Sequence, residues 1–474
     1  MTVVWPAGEE PRSGGELWGA QRKEIVGKVR TMNRRDFFKA AAAGTAALAI
    51  PARSRALARQ EAGQVLEGAG ERIERYRMGR AVLRLVDPRG QAVRAGRSVR
   101  IEQVGHKFLF GCNIFKLGRC RRPEQNAAYE ELFAGLLNYA TLPFYWWHYE
   151  RSKGQTNDAL IEEMVRWCKE HGVTAKGHPL AWNWGEQDWL PDDPEEVMKL
   201  QMARIERCVR RFKGGIDIWD VVNEATGYDR EEARRRAPRL TEAIRRMGVG
   251  EYVRRAFRTA RKANEDATLV INDYRTDAEY GRRVLRELVG RYDRPLYDAI
   301  GIQSHMHGRY WGAARTWDVC DRFAVYDRPL HFTETTIVSG PKTARGWVTT
   351  AEGEKAQAGY VTEFYTVLFS HPAVEAITWW DFTDQGAWRG APAGLIRADM
   401  TPKPAYDQLK ALIKGRWWTR TEAELGPAGR LSFRGFFGRY KVTVGKGEQK
   451  LTGKFNFDKD ANLPIEVQLA QVRS

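Results

Sequence analysis

Cysteine is scarce and unpatterned in this chain of 474 residues: Cys112, Cys120, Cys168, Cys208 and Cys320 are odd in number and form no CxxC pair. That excludes a disulfide scaffold and a zinc-finger spacing, so buried thiols are the expectation. Apolar runs are also short, and the stretch from Ala40 to Ile50 falls below the length that spans a bilayer. Acidic residues are outnumbered, 60 against 77 Lys and Arg for a net charge of +17, yet no basic run is interleaved with aromatics as a nucleic-acid surface would be. No nucleic-acid partner is expected. Aromatics, by contrast, are plentiful, with 17 Trp, 17 Tyr and 19 Phe in a sequence that is 43% apolar. A large core is therefore affordable, with room for one barrel of about 250 residues or more plus additions.

The character of the sequence changes at Met32. From there NRRDFFKAAAAGTAALAI places Arg34 and Arg35 before Phe37, Phe38 and Lys39, then an Ala-rich run, with Ala56-Leu57-Ala58 as a small-residue cleavage site. This resembles a twin-arginine export signal, which implies the twin-arginine translocase as a partner during export and a periplasmic or extracellular destination, with no membrane association of the mature form. The expected true start is Met32, with residues 1–58 forming an N-terminal extension and signal peptide. Removing them leaves 67 basic and 55 acidic residues, a net charge of +12.

From Arg80 to about Gln103 the apolar residues alternate around the turn Asp87-Pro88-Arg89-Gly90, so residues 59–104 are read as a small β element. Strand-like and helix-like stretches then take turns. The strands are Lys107–Ile114, Asn138–Tyr145, Thr174–Trp182, Ile216–Glu224, Thr268–Tyr274, Ala299–Met306, Pro329–Thr336 and Val374–Asp381. The helices are Pro123–Leu137, Asp158–His171, Pro194–Phe212, Gly250–Asn264, Asp277–Val289, Ala313–Tyr326, Ala351–Phe369 and Pro404–Lys414. Strands each followed by a helix predict an α/β fold, a (β/α)8 TIM barrel over residues 105–415, with small β appendages at both ends. The second appendage covers residues 416–474.

Chemistry in such a barrel belongs at the C-terminal ends of the strands. There the sequence puts His178 and Trp182 (GHPLAW), Asn223 and Glu224 (WDVVNEA), Asn272 to Tyr274 (INDY), Gln303 and His305 (QSHMH), Glu334 (TETT), and Trp379, Trp380 and Trp388 (TWWDFTDQGAW). Each polar residue has a structural alternative, such as a helix cap or a satisfied core histidine. Convergence of so many on one rim is harder to explain that way, because burying each unpaired would cost about 1–3 kcal/mol. Two glutamates on different strand ends are what hydrolysis of a glycosidic bond needs, one as acid/base and one as nucleophile.

The wording and order of these strand ends, with the tail TPKPAY from Thr401 to Tyr406, resemble the family 10 glycoside hydrolases, retaining β-1,4-xylanases built on this barrel. The resemblance implies Glu224 as acid/base, Glu334 as nucleophile and Asn223 as a hydrogen-bond partner of the sugar 2-hydroxyl. It further implies that His178 contacts the same sugar, that Gln303 and His305 position the carboxylates, and that Trp182, Trp380 and Trp388 wall the cleft. Departures accompany it. The family's polar strand-two stretch is replaced by LPFYWW, with Pro143, Phe144 and Trp147 where Glu, Asn and Lys are usual; Asn183 and Thr336 replace a His and an acid. The expectation is a secreted retaining endo-β-glycosidase acting on xylan or a related plant cell-wall β-glycan. A carbohydrate-binding protein with little hydrolysis and a basic protein docking on cell-wall polyanions are the alternatives. No cofactor or metal is expected, since His305-x-His307 lacks a third ligand at a suggestive spacing.

Overall fold

The computed structural model describes residues 62–290, 294–445 and 450–471. The signal segment, the expected start at Met32 and the cleavage site at Ala58 lie outside the described residues.

In chain order the strands that build the first part are β1 (Met78–Val86), β2 (Ser98–His106), β3 (Leu109–Asn113), β4 (Tyr139–Pro143), β5 (Thr174–His178) and β6 (Ile218–Asn223). They continue with β7 (Thr268–Asp273), β8 (Ala299–Met306), β9 (Leu330–Ile337), a two-residue hairpin β10 (Lys342–Thr343) and β11 (Gly346–Trp347), and β12 (Val374–Trp379). Strands β3 to β9 and β12 close into a parallel barrel in the order β12-β3-β4-β5-β6-β7-β8-β9. Each overlaps one expected strand, and the barrel matches the expected fold. All eight residues of β9 are buried, as a barrel strand covered on both faces requires.

Small residues set the interior geometry. A Cβ on Gly177 would stand 2.2 Å from the Trp219 ring, and one on Gly301 would stand 2.7 Å from Asn272 Oδ1. Those glycines make room for a buried indole and a buried amide that any larger residue would displace. Amphipathic helices such as Pro194–Arg211, capped by Asp193 at the amides of Glu195 and Glu196, pack outside.

Three helical stretches differ from expectation. Glu231–Arg236 and Pro238–Met247 fill the segment after β6 that the sequence reading left between a strand and a helix. Pro238 at a first helical position and the buried one-sided set Leu240, Ala243 and Ile244 explain the second. The segment after β7 forms only a short helix, Ala278–Tyr280, and a π-turn, Gly281–Leu285, in place of the expected Asp277–Val289. Before β1, Ala69–Arg77 is helical where only β structure was expected. Its Arg77 is fixed under the barrel by the carbonyls of Phe369, His371 and Val374 at 2.6 to 2.7 Å.

The remaining strands are β13 (Arg420–Glu424), β14 (Arg430–Phe436), β15 (Gly438–Val444), β16 (Leu451–Phe457), β17 (Ile465–Gln468) and β18 (Ala470–Gln471). They combine with β1 and β2 into two sheets, β14-β1-β17 and β13-β2-β15-β16-β18. The two appendages therefore form one module around a core of its own, including Leu83, Ile101, Phe433, Tyr440, Val442 and Phe455. Since β2 runs directly into the N-terminal end of β3, this module lies at the foot of the barrel, opposite the rim that carries the chemistry.

Candidate active site

Glu224 sits one residue beyond β6 with φ 56° and ψ 41°, a left-handed conformation that costs a non-glycine residue about 1 kcal/mol or more. Neighbouring contacts hold it there. Its amide donates to the Asn272 carbonyl at 2.8 Å, while Thr226 donates its amide (2.9 Å) and hydroxyl (2.6 Å) to the two oxygens of Asp273. Glu334 emerges from β9. Register shifts between Asp220 and Val222, between Ile302 and Gln303, and between Ile377 and Trp379 re-aim side chains just where the site residues begin.

A chain of amides joins the two carboxyl groups. Gln303 Nε2 donates to Glu224 Oε1 and to Asn223 Oδ1, both at 3.2 Å. Asn272 Nδ2 donates to the same Asn223 oxygen and to Glu334 Oε1, each at 2.7 Å. On its other oxygen Glu334 meets His305 Nε2 at 3.0 Å, and His305 Nδ1 lies 2.8 Å from the Thr336 hydroxyl. Thr336, read from the sequence as the replacement of an acid, thus supplies this contact to His305. His178 Nε2 approaches Glu334 Oε1 at 3.8 Å, oriented from behind by Asp220, whose Oδ2 also takes Lys176 Nζ at 2.6 Å. Asn183 turns away from the cleft and ties the Tyr228 carbonyl (2.7 Å) to Thr241 (2.8 Å).

Electrostatics separates the two carboxyls. Burial drives Glu224 upward; the Arg230 cation opposes this and the nearby Glu334 charge adds to it, leaving Glu224 above its ordinary value. Burial pushes Glu334 up as well, but the hydrogen bond from His305 and the charges of His178, His305 and Lys176 outweigh it and hold it below. One carboxyl is thereby favoured as a proton donor beside one favoured as an ion. Two more carboxyls at the rim are raised by burial, Asp273 to about 6 and Asp381 to about 7.

Aromatic rings enclose the polar cluster. The Trp182 and Trp184 rings stack with centroids 5.4 Å apart and planes 7° from parallel. Trp380 meets both His178 (5.4 Å) and His305 (5.8 Å) edge to face, and the 42% exposed Trp388 covers His305 at 4.4 Å. The residues to which the resemblance gives roles, His178, Trp182, Asn223, Glu224, Gln303, His305, Glu334, Trp380 and Trp388, therefore lie in one connected cluster, Trp182 joining it through Tyr145. Trp379, by contrast, is buried and donates to the Ala393 carbonyl. His307 packs on Trp388 at 4.9 Å, and burial lowers it to about 4.

Strand two resolves unevenly. Phe144 is fully buried against Tyr149, Phe212 and Trp219, so it belongs to the core. Trp147 lies over Gly185, where a Cβ would come within 2.9 Å of its ring, and 5.9 Å from Trp182. Between them Tyr145 faces His178 at 5.5 Å and Trp147 at 5.3 Å. Tyr145 was passed over in the sequence because apolar neighbours flank it. Arg230 was missed too: its guanidinium is ion-paired to Glu224 Oε2, with its carbon 4.6 Å from the Trp184 ring centroid and 5.6 Å from that of Tyr274. Its place in the charge-rich run YDREEARRR gave no signal of that contact.

Residues 31–51 match the twin-arginine translocation pathway signal sequence, which supports export by that route. Among the described residues no helix is long and apolar enough to cross a membrane. The anti-sigma-I factor RsgI6 of Acetivibrio thermocellus is 25% identical over 407 residues, 83% of this chain but 49% of the relative, so the chain spans about half that protein's length. Endo-1,4-beta-xylanase 3 of Hypocrea jecorina is 28% identical over 278 residues, 57% of this chain and 73% of that enzyme. The crystal structure of xylanase 10B from Thermotoga petrophila in complex with xylobiose shares the fold at a TM-score of 0.51 and 24% identity, covering 65% of this chain and 95% of that one. Residues 119–412 match glycosyl hydrolase family 10, and the chain belongs to that family.

Proposed function

We propose that this protein is an exported endo-β-1,4-glycosidase that cleaves xylan or a related β-glycan with retention of anomeric configuration. The observation that carries the reading is the opposite displacement of two carboxyls joined by one amide chain, Glu224 raised and Glu334 lowered. Glu334 is assigned as the nucleophile that attacks the anomeric carbon, and Glu224 as the acid that protonates the leaving oxygen. Water then enters with Glu224 as base and releases the sugar from Glu334. Asn223 is assigned to the 2-hydroxyl of the sugar at the cleavage point and His178 to the same ring. Gln303 and His305 are positioning residues for the two carboxyls, and Trp182, Trp380 and Trp388 offer indole faces to pyranose rings. The mature chain is taken to begin after Ala58, with the barrel over residues 105–415 as the catalytic domain.

Similarity to a xylanase of Hypocrea jecorina and to a xylanase captured with xylobiose supports xylan as the polymer. A panel of linear xylan, glucuronoxylan, arabinoxylan and mixed-linkage glucan, with Glu334→Ala as the blank, tests the assignment. Oligosaccharide release by the wild type alone is the expected result; identical behaviour of both proteins would overturn it. The apolar and aromatic stretch on strand two, with Pro143, Phe144 and Trp147 in place of polar groups, favours a second reading, a carbohydrate receptor that binds the same glycans without cutting them. Saturable glycan binding with no turnover in the same panel would select that reading.

A further inference from the structure

An acid catalyst paired with a permanent cation presents a conflict. Glu224 has to be protonated to give a proton to the leaving oxygen, yet Arg230 occupies its Oε2 with a charge-assisted bond that favours the ionised form. The two oxygens of Glu224 face different surroundings. Oε1 is tied through Gln303 and Asn223 toward Glu334, whereas Oε2 meets Arg230, so under the glycosidase reading Oε2 and Arg230 are assigned to the leaving-group side.

Arg230 is part-exposed, and its buried Nε has no hydrogen-bond partner. Its side chain is 28% exposed, and it lies at the end of the loop following Gly227, whose backbone holds it through Arg230 N and Gly227 O at 3.2 Å. Its stacking partners are the rings of Trp184 and Tyr274, broad faces along which a guanidinium slides at little cost. Arg236 adds a second guanidinium 4.7 Å from the Trp184 centroid, anchored by Nε to the Trp184 carbonyl at 3.0 Å. This side of the acid is therefore an aromatic floor of Trp184 and Tyr274 carrying Arg230 against Glu224, with Arg236 on the Trp184 ring.

We propose that Arg230 is a specificity-determining residue that exchanges its partner, from Glu224 in the free protein to a carboxylate carried by the glycan on the leaving-group side. The preferred substrate class is then a uronate-bearing β-glycan. This rests on the glycosidase reading above. When the glycan carboxylate takes the guanidinium, Glu224 loses its cation and picks up one proton from water. That proton passes to the glycosidic oxygen as its bond to the anomeric carbon breaks and the Glu334 carboxylate forms the new bond to that carbon. The arginine charge is neutralised before and after the exchange, first by the enzyme carboxylate and then by the substrate's.

The test uses xylo-oligosaccharides bearing one uronic acid and the same compounds after reduction of the carboxyl to the alcohol. For the wild type kcat/KM is expected to favour the acid by at least about tenfold, the scale of one charge-assisted hydrogen bond. Arg230→Gln is expected to bring that ratio to about one and to move the alkaline limb of the pH profile on the reduced substrate to higher pH, because Glu224 has lost its cation. A ratio near one in the wild type, or an Arg230→Gln loss equal on both substrates with the limb unmoved, overturns the proposal. Binding of the same pair to Glu334→Gln, followed by calorimetry, reads the exchange without turnover: tighter binding of the acid that Arg230→Gln abolishes supports it, and equal affinities overturn it. Absence of turnover in the wild type would instead defeat the glycosidase reading, and the binding arm separates the two failures.

Discussion

Asn272 shows how much one buried amide controls. It is fully buried, donates to Asn223 and to Glu334, and accepts from the Thr333 hydroxyl, so both carboxyls depend on its orientation. Replacing it with Ala removes a donor from Glu334. The expected results are a fall in kcat of about 10- to 100-fold and a shift of the acid limb of the pH profile to higher pH, read from initial rates across pH. For the unmodified protein a bell is expected: activity falls as pH drops through the lowered value of Glu334, and again as pH rises through the raised value of Glu224. Glu334→Ala should cost on the order of 10^4-fold or more in turnover. Glu224→Ala should cost about 10²- to 10⁴-fold on glycans but little on aryl glycosides with good leaving groups, compared by rate assays on both. The two glutamates were legible in the sequence because each belongs to a strand-like run, Glu224 one residue past β6 and Glu334 within β9. Asp381 was not: it follows Trp380 in a familiar-looking run, and its burial, with Oδ2 unpartnered and Oδ1 taking the Trp388 amide, is a property of the folded rim.

At the scale of elements, the barrel strands and most helices were legible because their periods differ, continuous apolar runs for strands and one-sided stripes for helices. Glu231–Met247 was not, since a charge-rich segment with few buried residues reads as a solvated face. Strand two was only partly legible. Sequence offsets placed Phe144 at a ligand position, whereas its ring points into the core and the cleft instead receives Tyr145 and Trp147. Restoring a cation with Trp147→Lys should shift the product pattern on unsubstituted xylo-oligosaccharides toward different chain lengths, read by chromatography of the digests. An unchanged pattern would mean that this position does not contact the glycan.

Across the whole molecule, two raised carboxyls set a pH dependence of stability. Asp273 near 6 and Asp381 near 7 both bind protons in the folded state that an unfolded chain releases near the ordinary carboxylate range. Their contribution is intact in acid and is lost as pH rises from about 4 through 7. It is opposed by the buried histidines His106, His307 and His331, whose lowered values add stability over the same rise, so the test is the difference in melting temperature between the wild type and a variant lacking one carboxyl. Asp381→Asn should remove the part of the pH dependence that this group contributes between about 4 and 7, so the wild-type melting temperature should drop relative to the variant as pH rises over that window, as thermal melts across pH would show.

The foot module carries a further consequence for how the chain is made. β1 is hydrogen-bonded on one side to β14 and on the other to β17, and both partners come from the last 45 residues of the sequence. β1 therefore lacks both of its strand partners until the barrel that separates them in sequence has been synthesised, and closing so long a loop is slow. Completion of this module reports that the barrel between β1 and β14 has already been delivered, which suits a translocase for folded cargo.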